Sequence, residues 1–218
     1  MKTSNKLVLL IALVFFGAIV GSAMVLKQTY DNIDFDDPYY GYARNDVGAF
    51  HHIKLEGEPW GRVNIKPGEA SAFLHPADAE VFEYEVREDT LFVAYTADAP
   101  REFRATAYIL APEVISVHSE GFGCQLIGWQ GDSLRLSYAG TNGFLALNKG
   151  KLSKISASLS ERGTLNIGEG NQIGSAHIEV KDESSLIVEG GQVDTLYLDA
   201  DPKAKIQLPG ALLDKVKY

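Results

Sequence analysis

Between residues 115 and 208 the chain carries short units in which apolar and polar residues alternate, and the spacing of these units is nearly constant. They centre near 116, 126, 135, 146, 157, 166, 178, 187, 197 and 207. Taken alternately, they step by 19, 22, 21 and 19 residues in one series and by 20, 20, 21 and 20 in the other. Ile115-Ser116-Val117, Leu134-Arg135-Leu136, Leu165-Asn166-Ile167 and Ile206-Gln207-Leu208 are examples. Each unit is too short to be a stable strand alone. A fixed period of this length, with two units in each period, is the mark of a stacked repeat.

Side chains on a strand alternate between its two faces. Parity therefore places Ile115, Val117, Cys124, Leu126, Leu134, Leu136, Leu145 and Leu147 inward, and the same phase continues through Ile206 and Leu208. Ser116, Gln125, Arg135, Ser156, Asn166, His177, Glu179 and Gln207 fall outward, with Ala146, Ile187 and Tyr197 as the less polar exceptions. The predicted fold is all-β: a parallel β-solenoid (β-helix) over residues 112–210, with about 20 residues and two short strands per coil. Stacking gives each triplet a backbone partner above and below and joins the apolar side chains into one core. An antiparallel sandwich is the rival, but it does not require matched steps. Residues 49–111 read as a β-rich cap that includes a hairpin near Arg87-Glu88-Asp89-Thr90. The tail 211–218 is placed to cover the other end, since an open terminal coil exposes core and strand edge.

Ahead of the β region stands Leu7–Leu26, "LVLLIALVFFGAIVGSAMVL", which has no charge and is bracketed by Lys6 and Lys27. As a helix it would span about 30 Å, the thickness of a bilayer's hydrocarbon layer. It is predicted to be a transmembrane anchor. A cleaved signal ending near Gly21-Ser22-Ala23 is the alternative. Lys2 and Lys6 precede the block, and Asp31, Asp34, Asp36 and Asp37 follow it. That asymmetry puts residues 1–6 in the cytoplasm and the remainder outside, on the periplasmic side of a bacterial inner membrane. Residues 27–48 read as an acidic linker rather than a calcium loop, because the glycine and distant glutamate of such a loop are missing.

The β region holds the only cysteine, Cys124, so no internal disulfide can brace it, and Cys124 is expected to be a core residue. Residues 28–218 contain 17 basic and 29 acidic side chains, a net charge of −12 that disfavours nucleic acid as a partner.

No catalytic, cofactor or metal pattern emerges. His51 and His52 are adjacent on a strand and point to opposite faces. Asp182, Glu183, Asp194, Asp199 and Asp201 are assigned to coil corners, as turn chemistry. Trp60, Trp129 and Tyr138 are the candidate contacts for a glycan or protein partner, since aromatic rings stack on sugars. Trp129 is given outward parity before the polar turn Gln130-Gly131-Asp132, with packing at a coil corner as its plainer reading.

Three stretches carry a family resemblance: "AFHHIKLEGEPWGRVNI" opening the β region, "EYEVREDTLFVAY" as paired strands, and "ILAPEVISVHSEGFG" entering the repeats. With the short lysine-flanked anchor, they resemble the head GIN domain family of auto-transporter adhesins, bacterial domains of unknown function, over residues 50–210. The resemblance implies a β-helix and, through the family's name, adhesion. The expected function is a non-enzymatic, membrane-anchored module for binding, adhesion or envelope structure, with a cell-envelope glycan or a protein as partner. A carbohydrate-active β-helix enzyme is the alternative, and it would need two carboxylates close together in a groove on one outer face.

Overall fold

The computed structural model describes residues 3–57, 61–79, 81–95, 106–141 and 143–217. It divides into two compact units, residues 1–41 and 42–218. The first holds helix α1 (Thr3–Asp31). Within it, Val8–Asp31 contains an 18-residue window with a mean hydropathy of 2.7, apolar enough to cross a membrane or to act as a signal sequence. Its large apolar side chains, Phe15 and Phe16 among them, are exposed.

The segment expected to be a linker is more ordered than the sequence suggested. Helix α1 continues to Asp31, and two acids then close tight turns: Asp34 Oδ1 accepts from the Asp36 N–H at 3.0 Å and Asp37 Oδ1 from the Tyr39 N–H at 2.8 Å. In the second unit the chain opens with β1 (Ala43–Asp46). Tyr42 lies edge-on to Tyr108, with ring centroids 5.2 Å apart.

The strands that follow are β2 (His52–Glu56), β3 (Arg62–Pro67), β4 (Ser71–Leu74), β5 (Phe82–Arg87), β6 (Thr90–Tyr95) and β7 (Thr106–Ala111). Then come five coils, each with two strands: β8 (Ser116–Glu120) and β9 (Gly123–Ile127); β10 (Gln130–Ala139) and β11 (Phe144–Asn148); β12 (Lys151–Leu159) and β13 (Thr164–Ile167); β14 (Gln172–Val180) and β15 (Ser185–Val188); β16 (Gln192–Ala200) and β17 (Lys205–Gln207). The short β18 (Val216–Lys217) ends the described chain.

All pairings from β8 onward are parallel, which settles the fold as a β-solenoid rather than a sandwich. The register matches the repeat read from the sequence. Cys124, Leu145, Leu165, Leu186 and Ile206 are successive Cα partners in one ladder, and Val117, Leu136, Ala157, Ile178 and Leu198 in another. Nearly all of these side chains are buried, with Ile206 partly covered in the last coil.

The first coil has two short strands, and each of the four that follow has one short strand and one long strand. The long strands β10, β12, β14 and β16 bend, because Asp132, Ser153, Gly174 and Asp194 drop out of the pairing register. In β12, Leu152 and Ile155 are both buried with Ser153 and Lys154 exposed between them, so strict alternation fails at the corner. The coil therefore has three sides. Gly174 is required at its corner: a Cβ there would sit 2.7 Å from the Ser153 carbonyl oxygen of the coil below.

The stacking order is not the sequence order. The coil made by β2 and β3 lies between β6/β7 on one side and β8/β9 on the other. The chain thus builds a coil, adds one beneath it, then crosses over to continue above. Antiparallel pairing of β5 with β6, and of β4 with β7 and β1, ends the stack at that side. At the other end a 3-10 helix (Gly210–Lys215) buries Leu212, and β18 pairs with β16. The expected cap and end cover are both present, as the edge argument requires.

Ile115 departs from the expected inward set. It lies one residue before β8 and is 41% exposed, because strand parity does not extend back through the turn.

Candidate functional site

Parallel stacking places outward side chains from successive coils in straight rows. On the long-strand sheet one row runs Ser116, Arg135, Ser156, His177, Tyr197 and Lys217 as successive Cα partners. The neighbouring row runs His118, Ser137, Ser158, Glu179 and Asp199. Between large side chains at both ends, the serines leave a depression of about 470 Å³ floored by Ser137, Ser156 and Ser158. Small residues make this groove; a longer side chain at Ser156 would fill it.

One end of the groove is an aromatic platform. The His177 and Tyr197 rings stack with centroids 4.3 Å apart and planes 15° from parallel. Lys217 Nζ stands 5.4 Å from the Tyr197 ring centroid, a cation–π contact. Arg135 marks the other end and is exposed.

The second row is a set of satisfied polar pairs. Glu179 accepts from Lys181 Nζ at 2.6 Å and from the Ser158 hydroxyl at 3.2 Å. The Lys181 ammonium, ahead of the other influences, holds the Glu179 carboxyl below the usual range, so it is a carboxylate and a poor proton donor. Further along, with the proton on Nε2, His118 donates to Glu120 Oε1 at 2.8 Å and accepts at Nδ1 from the Ser137 hydroxyl at 2.7 Å. That hydrogen bond, then nearby Lys54, lowers the Glu120 pKa. A parallel pairing recurs one coil below, where His52 Nδ1 lies 2.7 Å from Ser116 Oγ.

Hydroxyl, imidazole and carboxylate in a chain have the order of a hydrolase triad. An oxyanion hole would also be needed. Strand β10, however, pairs on both sides, so its backbone N–H groups around Ser137 are committed to ladders.

The acids divide differently from the sequence expectation. Asp182 and Asp201 do serve turns: Asp182 Oδ2 accepts from the Glu161 N–H at 3.1 Å, and Asp201 Oδ2 from the Asp182 N–H at 2.9 Å. Asp199 does not. It lies inside β16 opposite Glu179 and lines the groove, because the long strand runs on past its Leu196–Leu198 triplet. Among the described residues, no three His, Cys, Asp or Glu side chains converge as a metal site.

Of the aromatic residues singled out from the sequence, Trp60 lies outside the described residues. Trp129 and Tyr138 are core residues, 3% and 2% exposed, and offer no surface to a ligand. The positive φ of Gly128 (71°) turns the chain just before Trp129, so the parity counted from β9 is lost there. Tyr138 shares the inward parity of Leu134 and Leu136 because β10 extends to Ala139. Its side chain occupies space that Gly143 and Gly163 leave open; a Cβ on Gly143 would fall 1.8 Å from the hydroxyl oxygen and one on Gly163 2.2 Å from the ring. The expectation for Cys124 holds: it is fully buried, and burial pushes its thiol pKa far up.

The residues that do build the groove, Arg135, His177, Tyr197 and Lys217, were not grouped by the sequence reading. Stepping the outward positions by the coil length, as was done for the inward ones, aligns them.

No family model and no curated protein matches this sequence. Among solved structures, the chain is similar to a candidate adhesin from Parabacteroides merdae ATCC 43184, with 12% identity over 76% of this chain and 79% of that one, at a TM-score of 0.50. A candidate adhesin from Bacteroides fragilis NCTC 9343 matches 76% of this chain and 95% of its own length with 12% identity and a TM-score of 0.42. A candidate lipid-binding protein from Parabacteroides distasonis ATCC 8503 matches 76% and 92% with 13% identity and a TM-score of 0.39. At 12% identity the likeness to the first of these is one of fold.

Proposed function

We propose that this chain is a non-enzymatic binding module of the bacterial cell envelope. Residues 7–26 anchor it, Lys6 and Lys27 flank the membrane, the N-terminus stays inside, and the β-solenoid projects outward to engage a glycan through the groove on its long-strand sheet. The adhesin names of structures sharing its fold, and the resemblance to head GIN domains, favour the same role.

One observation carries the glycan reading: a serine floor bordered by the stacked His177 and Tyr197 side chains, whose polar atoms line the groove. Sugar rings carry a rim of hydroxyls, so they are held by short hydroxyl side chains and by the polar edges of aromatic side chains within reach. The test is binding of the full-length chain, held in detergent, to an array of envelope glycans. Tyr197→Ala should abolish the signal with the fold intact by circular dichroism. Undiminished binding by that variant would refute this surface.

The carbohydrate-active enzyme is the second reading, and two observations favour it: the Ser137–His118–Glu120 chain and the neighbouring carboxylates of Glu179 and Asp199. Its test is turnover of acylated and unmodified envelope polysaccharide. Product that disappears in both His118→Ala and Ser137→Ala would establish an esterase. Product lost in Glu179→Gln and Asp199→Asn would establish a glycosidase.

A further inference from the structure

We infer that the ligand of this groove is an anionic glycan that lies along the solenoid axis and carries an acid group on alternate sugars. This rests on the groove being a glycan site, and it names which glycan.

The basic side chains within the row are ordered. Reading up the stack, Arg135, His177 and Lys217 stand on every second strand, with Ser156 and Tyr197 between them. Adjacent strands are about 4.8 Å apart, so the basic groups recur about every 10 Å over about 19 Å. An extended linear glycan advances by close to one strand spacing per ring. Its rings would therefore meet the basic positions and the Ser156 and Tyr197 positions in turn. A carboxylate on every second ring would find a guanidinium, an imidazole or an ammonium, and the intervening neutral rings would find the hydroxyl of Ser156 or of Tyr197.

The basic ends are available. Among the described residues no ion pair engages Arg135, and Lys217 makes only the contact with the Tyr197 ring. A planar guanidinium at an exposed position is suited to bidentate pairing with a carboxylate. The neighbouring row presents Glu179 and Asp199, which would repel an anion. Lys181 is paired with Glu179, and its charge also acts on Asp199, so the acids are partly neutralised on the flank away from the basic row. At the far end Ser116 is neutral, and Glu120 accepts from His118 and lies 3.9 Å from Lys54, which also pairs with Glu56.

The arrangement also matters against the charge of the whole chain. A protein with a net charge of −9 gains nothing from long-range steering of an anion, so the recognition must be local.

The experiment is calorimetric titration of the full-length chain in detergent with two probes of equal length. One is a hyaluronan hexasaccharide, which alternates a hexuronic acid with a neutral sugar. The other is a neutral 1,4-linked glucan hexasaccharide. The expected result is at least tenfold tighter binding of the acidic probe, weakened by added salt. Arg135→Ala should remove that preference, Arg135→Lys should restore part of it, and both variants should unfold at the wild-type midpoint. Equal binding of the two probes, or a preference for the neutral one, overturns the charge inference and leaves the glycan site standing, provided that Tyr197→Ala still abolishes binding. Binding of neither probe by a folded chain, together with a blank envelope-glycan array, overturns both.

Discussion

Asn171 clamps two adjacent coils together, and its removal should cost more than that of any polar residue on the surface. The side chain is buried at a corner, 1% exposed. Its Oδ1 accepts from the Gly150 N–H at 2.7 Å, and its Nδ2 donates to the carbonyls of Leu147 at 2.8 Å and Gly168 at 2.6 Å. In Asn171→Ala the Leu147 carbonyl still receives the Gly168 N–H at 2.9 Å, so it is not orphaned. The Gly150 N–H has no comparable substitute and is left buried and unpaired, at a cost of about 1–3 kcal/mol. The lost bond to Gly168 adds about 1 kcal/mol, for a total near 3 kcal/mol. Asn171→Asp sharpens the test. Its carboxylate can still accept from Gly150, but its other oxygen faces two carbonyls with no proton between them. Burial and those carbonyls must raise its pKa above the unfolded value of about 3.9. A raised folded-state pKa contributes stability that is full below the unfolded pKa and lost as pH rises through the folded one. Measured against wild type at each pH, Asn171→Asp should therefore recover as the pH falls from 7 toward 4. Urea titration followed by Trp129 fluorescence reads both effects. A loss under about 0.5 kcal/mol for the alanine variant, or a pH-independent penalty for the aspartate, would refute the clamp.

Gly163→Ala should destabilise by about 1–3 kcal/mol through its clash with the Tyr138 ring. Adding Tyr138→Leu should relieve part of that loss, which a double-mutant cycle in urea would detect as a coupling energy. Cys124 should stay unmodified by a water-soluble disulfide reagent in native buffer and react at once in denaturant, because a buried thiol with a raised pKa supplies no thiolate. The depressed pKa of Glu179 makes its pairing a stabilising contribution above the unfolded carboxyl pKa, lost as pH falls through the lower folded value. The stability difference between wild type and Glu179→Gln should accordingly shrink on acidification. It should be small throughout, since the Glu179 side chain is 38% exposed and water screens the pair.

Much of this architecture can be read from the sequence because a strand's period is short and local. In Leu186-Ile187-Val188 and Leu196-Tyr197-Leu198, two residues of spacing are enough to assign faces, and the register of both triplets agrees. The errors cluster where that local rule meets a turn or a strand end. Ile115 precedes its strand, Trp129 follows a glycine with positive φ, and Tyr138 and Asp199 lie on extensions of strands whose length the apolar triplets do not mark.

Alternation and period determined that the chain stacks coils and which side chains of the repeated triplets face its core, and an uncharged apolar run determined that one N-terminal helix is apolar enough for a membrane. Tertiary structure decided the rest. The coil of β2 and β3 sits between coils that come later in the chain, because strand edges are filled by whichever partner returns to them, not by sequence neighbours. The groove exists for the same reason. Arg135, His177, Tyr197 and Lys217 are far apart along the chain and gain their common face only when each intervening coil closes at its own length and delivers the next strand in register.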